Sequence, residues 1–186
     1  METLFRLGGL CLAIFVAFVI VQKLSTDKLE NLRSEKYSGI DQPITVEFRE
    51  RQLDCLALNI YREAGNEPFE GKVGVAQVTL NRVKVSSFPN DVCRVVYQKT
   101  VFTEKVICQF SWYCDSTHRN RPINQASYNE SYKVAKKVLL EGFKLDMLDK
   151  ALYYHADYVN PGWNLQRIGK VGTHVFYSGK RVTRSS

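Results

Sequence analysis

From Leu53 to Val83 the chain places apolar residues at helical spacing twice, with one short turn between, and this pair of helices limits the fold more than any other stretch. Leu53, Leu56, Ala57, Ile60 and Ala64 form the first stripe, and Glu63 falls on the same side, seven residues after Leu56 and three after Ile60. A carboxyl held among apolar groups loses hydration, so its charged form is disfavoured and its pKa rises. That is what a general acid working near neutral pH requires. Glu63 is therefore the candidate acid. Ala64-Gly65-Asn66-Glu67-Pro68 reads as a turn, Gly65 ending the first helix and Pro68 suiting the start of the next. Phe69, Val73, Ala76, Leu80 and Val83 then give the second helix one apolar face to lay on the first, with Gln77 and Asn81 one turn apart off that stripe. Spacing alone leaves a plainer reading open, in which Glu63 is a salt-bridged helix-end carboxylate, Glu67 and Glu70 favour the next N-terminus, and Asn81 is a C-cap.

The run Tyr61-Arg62-Glu63-Ala64-Gly65-Asn66-Glu67-Pro68-Phe69-Glu70-Gly71, continuing through Gln77, Asn81 and Arg82 to Val83, resembles the signature of the SleB-type cell-wall hydrolases, the spore-cortex-lytic enzyme family. Further matches follow in order: Phe88-Pro89, Val92-Cys93-Arg94, Cys108-Gln109-Phe110-Ser111-Trp112, Tyr153-Tyr154-His155-Ala156, Pro161-Gly162-Trp163 and Gly172-Thr173-His174. The resemblance spans roughly Gln52 to Tyr177. It departs from the family at Asn66, where Gly is commoner, and at Gly74, where Ala is more usual.

The resemblance implies an α+β domain, mainly helical and lysozyme-like with a small antiparallel sheet, and an acid at a helix end facing a cleft. It implies peptidoglycan glycan strands as substrate, cut at the β-1,4 bond between N-acetylmuramic acid and N-acetylglucosamine. No second carboxyl is placed opposite Glu63 by spacing, and a single acid/base suits lytic transglycosylation, which needs no water nucleophile and no cofactor. The matching positions Glu67, Gln77, Asn81, Gln109, Phe110, Ser111, Trp112, Tyr153, Tyr154, His155, Trp163 and His174 are the expected substrate-binding set. Aromatic rings stack on sugar faces while an amide holds hydroxyls, although Phe110 and Trp112 read equally well as core plugs. One rival is a zinc-dependent N-acetylmuramoyl-L-alanine amidase using His155, His174 and a Glu; another is an inactive, membrane-tethered wall-binding module. Against zinc, neither His belongs to a His-x-x-x-His helix.

The formal charge of +7 is unevenly spread, residues 1–49 holding six Lys/Arg against six Asp/Glu and residues 50–186 holding 20 against 13. A basic domain is drawn to polyanions, whether nucleic acid, anionic lipid or a wall rich in carboxylates and phosphates. The basic residues are mostly scattered singly, which argues against nucleic acid. Leu7 to Val21 is uncharged and apolar, and residues 1–24 read as an uncleaved transmembrane signal anchor that meets the membrane through 4–24, with 25–49 a polar linker and 50–180 the hydrolase-like domain. Orientation is poorly encoded. Cys55, Cys93, Cys108 and Cys114 suggest disulfides in an oxidising compartment, hence a domain outside the membrane, with pairing open and a buried thiol at Cys55 as the alternative. Ser86 to Ser116 reads as an irregular cross-linked loop region, Gln125 to Glu141 as a helix capped by Asn124, Ala151 to Ala156 as a strand and Ile168 to Tyr177 as a hairpin. No oligomeric state follows from these features.

Overall fold

The computed structural model describes residues 15, 18–28, 45–103 and 105–181. Most of the expected membrane anchor and linker therefore lies outside the described residues. Residues 18–28 are helical, and among the described residues no helix is long and apolar enough to cross a membrane. A separate compact unit begins at Val46 and holds everything that follows, so residues 46–49, expected as linker, are the first turn of its opening helix.

In chain order that unit contains α1 (Val46–Ala64), α2 (Phe69–Val83), α3 (Val92–Val96), β1 (Lys99–Phe102), β2 (Lys105–Cys108), α4 (Ser111–Cys114), α5 (Ser116–Arg119), α6 (Gln125–Leu139), a 3-10 turn (Asp146–Leu148), β3 (Ala151–Ala156), β4 (Leu165–Val171) and β5 (His174–Arg181). Strands β3, β5 and β4 form an antiparallel sheet in that order, and β1 with β2 makes a separate hairpin. The α+β class expected from sequence is therefore present. The stretch from Ser86 to Ser116 is more regular than expected, holding α3, the hairpin and α4. Both disulfides lie here: Cys55 joins Cys93, tying α1 to α3, and Cys108 joins Cys114, closing β2 onto α4.

Helix α1 buries the predicted stripe, Leu53, Leu56, Ala57, Ile60 and Ala64, together with Asn59 and Gln52. Helix α6 starts at Asn124, whose side chain accepts from the Ser127 amide, and packs Val134, Ala135 and Val138 into the same core. Helix α2 differs from expectation because every residue from Gly71 to Thr79 is buried. Val73 and Ala76 meet the helices, whereas Val78 meets Leu148, Ala151 and Phe176 on the sheet side. A helix covered all round is a central element, and Gly74 makes the second cover possible. A Cβ at this position would stand 2.6 Å from Phe176 Cζ and 3.3 Å from Leu148 Cδ1, and both side chains are fully buried.

Gln77 and Asn81 belong to this second face. Gln77 Nε2 donates to the Leu145 carbonyl (3.0 Å) and its Oε1 accepts from the Leu145 amide (2.8 Å), while Asn81 Nδ2 donates to the Leu148 and Ala151 carbonyls (2.9 Å each). They satisfy the backbone of the connection entering β3, which would otherwise be buried without partners. Asn81 is accordingly not the C-cap, a position held by Lys84.

Gly74→Ala gains about 1 kcal/mol of helix propensity but drives a methyl into an immobile ring, at a cost of about 1–3 kcal/mol. Denaturant melts should show net destabilisation; a variant more stable than the parent would mean that α2 and the sheet are not in such close contact.

Candidate active site

Glu63 is the penultimate residue of α1, and the chain turns at Gly65 to begin α2, so its carboxyl stands at a helix end rather than within a helix face. It lines a cleft of about 670 Å³. One wall comes from the α1–α2 turn, another from α4 with the segment leading to α6, and a third from β3 and the start of β5. Tyr154 on β3 donates a hydrogen bond to Glu63 Oε2 at 3.0 Å. Burial raises the Glu63 pKa above the ordinary glutamate value, opposed by that hydrogen bond and by the charge of Arg82. Tyr154 is itself pushed well above the usual phenol range, chiefly by burial and then by the Glu63 charge, so it remains a neutral donor.

The second carboxyl of the cleft is in the opposite state. Glu67 accepts from the Thr173 amide (3.0 Å) with one oxygen and from the Thr173 hydroxyl with the other. Burial would raise its pKa, but the hydrogen bonds from Thr173 and the nearby His174 outweigh this and hold it below the usual value. Both oxygens are thus committed to the β4–β5 turn. That turn needs Gly172 at φ 58°, and a Cβ there would overlap the Glu67 carboxylate. Glu67 ties the α1–α2 turn to the β4–β5 turn.

Beneath the cleft lies a buried polar network. Trp112 Nε1 donates to Asn59 Oδ1 (2.9 Å), Asn59 Nδ2 donates to Thr79 Oγ1 (3.3 Å), and that hydroxyl donates to the Val75 carbonyl (3.0 Å). Trp112, 4% exposed, is the floor. His174 is buried, in edge contact with Tyr154 at 5.0 Å between ring centroids; burial lowers its pKa, and its Nδ1 has no hydrogen-bond partner among the described residues. His155 donates through Nδ1 to the Ala156 carbonyl (2.8 Å), because a carbonyl can only accept, and its Nε2 meets the Tyr177 hydroxyl (3.0 Å). Both ring nitrogens are engaged, so His155 cannot ligate zinc without breaking a hydrogen bond, and among the described residues no three His, Cys, Asp or Glu side chains converge as a metal site. The residues do not fit the zinc amidase arrangement.

Of the residues expected from sequence, Glu63, Glu67, Ser111, Trp112, Tyr154, His155 and His174 line this one cleft. Gln77 and Asn81 bond the β3 approach, as described above. Phe110 and Tyr153 are drawn away by a residue the sequence did not single out: Arg82 lies with its guanidinium over the rings of Phe110 (5.1 Å), Phe88 (5.5 Å) and Tyr153 (5.8 Å) and donates through Nε to the Leu152 carbonyl (2.8 Å). Gln109 does not line the cleft, and its backbone N–H donates to the Gln98 backbone carbonyl. Trp163, 42% exposed, sits outside the cleft against Tyr153, His155 and Tyr177. Arg62, His118, Arg121 and Tyr158 line the cleft but were missed. Arg121 and Tyr158 come from connecting segments and His118 from the single-turn helix α5, none with a periodic signal, and Arg62 is placed by donating to the Arg119 and Arg121 carbonyls (3.1 and 2.9 Å).

Comparison with known proteins identifies the lineage. The sequence model of the Cell Wall Hydrolase family matches residues 66–177. This chain belongs to that family. The match begins three residues after Glu63. The spore cortex-lytic enzyme of Bacillus subtilis is 28% identical over 137 residues, covering 69% of this chain and 38% of that protein; the one from Bacillus cereus is 30% identical over 137 residues, covering 69% and 45%. The chain thus spans less than half the length of the curated relatives it matches. Among solved structures, the catalytic domain of the Bacillus cereus SleB protein superposes with a TM-score of 0.51 at 26% identity over 69% of this chain and 91% of that one. The catalytic domain of the germination-specific lytic transglycosylase SleB from Bacillus anthracis gives 0.51 at 27%, over 68% and 93%.

The raised pKa has a consequence for stability in this cell wall hydrolase. Between the ordinary glutamate range and the raised folded value, the native protein keeps a proton that the unfolded chain has lost, so stability falls as pH rises across that window and is not recovered above it. Glu63→Gln has no such proton to lose. Thermal melts should find it more stable than the parent at alkaline pH, with the difference vanishing as pH falls below the ordinary glutamate range; a difference independent of pH would mean that the carboxyl is not desolvated.

Proposed function

We propose that this chain cleaves the glycan strands of peptidoglycan at the β-1,4 bond between N-acetylmuramic acid and N-acetylglucosamine, as a lytic transglycosylase with Glu63 as its single acid/base. The observation that carries this reading is the division of labour between the two cleft carboxyls: Glu63 favours its protonated form, and Glu67 is ionised with both oxygens bound to Thr173. A two-carboxyl hydrolysis would need the second group free to attack carbon or activate water.

In the proposed reaction Glu63 gives its proton to the glycosidic oxygen as the bond from that oxygen to the muramyl C1 breaks, releasing the 4-hydroxyl of N-acetylglucosamine. The Glu63 carboxylate then takes the proton of the muramyl C6 hydroxyl while O6 bonds to C1, closing a 1,6-anhydro ring and restoring the acid. Atoms balance without water. Tyr154 donates to Glu63 Oε2 throughout, and this bond strengthens when the carboxylate forms. Buried Arg82 adds a positive field at the same moment. Together they ease proton release without drawing the resting pKa back to that of a solvated glutamate.

Arg62 and Arg121 put positive groups in the cleft lining, suited to stem-peptide carboxylates, and the exposed ring of Tyr158 in the same lining offers a face to a sugar. Two disulfides support an oxidising compartment, so we place the domain on the extracytoplasmic side of a membrane entered through residues 4–24.

Glu63→Gln should abolish release of anhydromuropeptides from purified walls, read by mass spectrometry, while melting cooperatively; full activity in that variant would end the proposal. Tyr154→Phe removes a hydrogen bond that lowers the Glu63 pKa, so the alkaline limb of the pH profile should move to higher pH while kcat falls about 10–100-fold. An unmoved limb would show that the phenol does not act on the acid.

A further inference from the structure

Four lysines from three separate stretches of the chain meet in a second cavity, of about 820 Å³, which shares no residue with the cleft. Lys84 caps the end of α2, Lys144 and Lys150 flank the 3-10 turn, and Lys180 lies on β5. The cavity's one carboxylate, Asp149, is already taken: Lys144 Nζ bonds both of its oxygens (3.1 and 3.0 Å), and Gln77 Nε2 lies 3.4 Å from one. Among the described residues neither Lys84, Lys150 nor Lys180 is within ion-pairing distance of a carboxylate, which leaves three uncompensated positive charges around one concave surface. Like charges focused in a concavity repel one another and raise the local concentration of anions. Ser178 and Gln166 supply hydroxyl and amide groups on the sheet side.

The lining selects among anions. Its basic groups are all lysines, compact charges that suit phosphate, and it lacks the arginine fork that recognises planar carboxylates. It has no aromatic ring on which a nucleobase could stack. We propose that this cavity binds the phosphodiester backbone of a polyol-phosphate polymer carried by the wall. The source of the polymer rests on the function proposed above; the anion chemistry does not. Engagement of a wall polymer here, with glycan in the cleft, would tether the enzyme to its substrate by avidity.

The test uses the full chain in neutral detergent micelles and a dye-labelled oligo(glycerol phosphate), with affinity read by fluorescence anisotropy. Combined replacement Lys84→Gln, Lys150→Gln and Lys180→Gln should weaken binding about tenfold or more, whereas Lys105→Gln, Lys133→Gln and Lys136→Gln, which remove the same charge from exposed positions elsewhere, should change it less than about twofold. Equal loss in both sets would overturn the site in favour of diffuse attraction. Competition by poly-glutamate or an oligodeoxynucleotide as strong as that of the unlabelled polymer would overturn the phosphodiester assignment, and displacement by phosphatidylglycerol-doped micelles would assign the cavity to lipid instead. Glu63→Gln should bind the polymer as the parent does, and the lysine variant should digest polymer-free walls at the parental rate, so a failed anion site and a failed catalytic reading give different results.

Discussion

Cover on both sides of α2 is the constraint on which the other features depend. The small residues Gly71 and Gly74 let the β3–β5–β4 sheet approach one face while α1 and α6 hold the other, and this brings Tyr154 of β3 to the end of α1. Without the close approach permitted at Gly74, the sheet would stand away from the helices and Glu63 would be solvated. The raised pKa of the acid is thus a product of helix–sheet packing, not of any property of residues 60–64 by themselves.

Desolvation has to be offset if the group is to ionise at all during a catalytic cycle. Tyr154 and Arg82 supply that offset, and their own placement is expensive. Arg82 is buried with Nη1 unpartnered among the described residues, held instead by three aromatic faces and one carbonyl. Such a site trades stability for function, because a packed apolar replacement would cost less to bury. The Asn59–Trp112–Thr79 network plays the complementary role, fully satisfying buried polar atoms so that the cleft floor stays rigid.

Much of this was legible before any coordinates. The stripe of α1, helix α6 with its Asn124 cap, strand β3 and the hairpin of β4 and β5 follow from periodicity and turn chemistry, which act over a few residues. What escaped was long-range. Gln77 and Asn81 read as polar residues off a stripe, and only the sheet's arrival shows that they satisfy the backbone from Leu145 to Ala151. Phe110 reads equally as a sugar platform or a core plug until it is seen buried in the core beneath the Arg82 guanidinium. The hairpin between Lys99 and Cys108 carries only four residues on each strand, without alternation, too short to stand out from a loop. The four lysines lining the second cavity lie up to 96 positions apart and reveal nothing in sequence except a net charge.

By itself, the sequence determined the three long helices, the turn that follows Glu63 and Ala64, and membership of a wall-hydrolase lineage, because each is encoded in contiguous residues. The tertiary structure decided which carboxyl keeps its proton, which cysteines pair, and which of the expected site residues face the cleft. Those properties depend on dielectric environment and, apart from the six-residue Cys108–Cys114 link, on contacts between residues 20 to 106 positions apart, and local propensity carries no information about either.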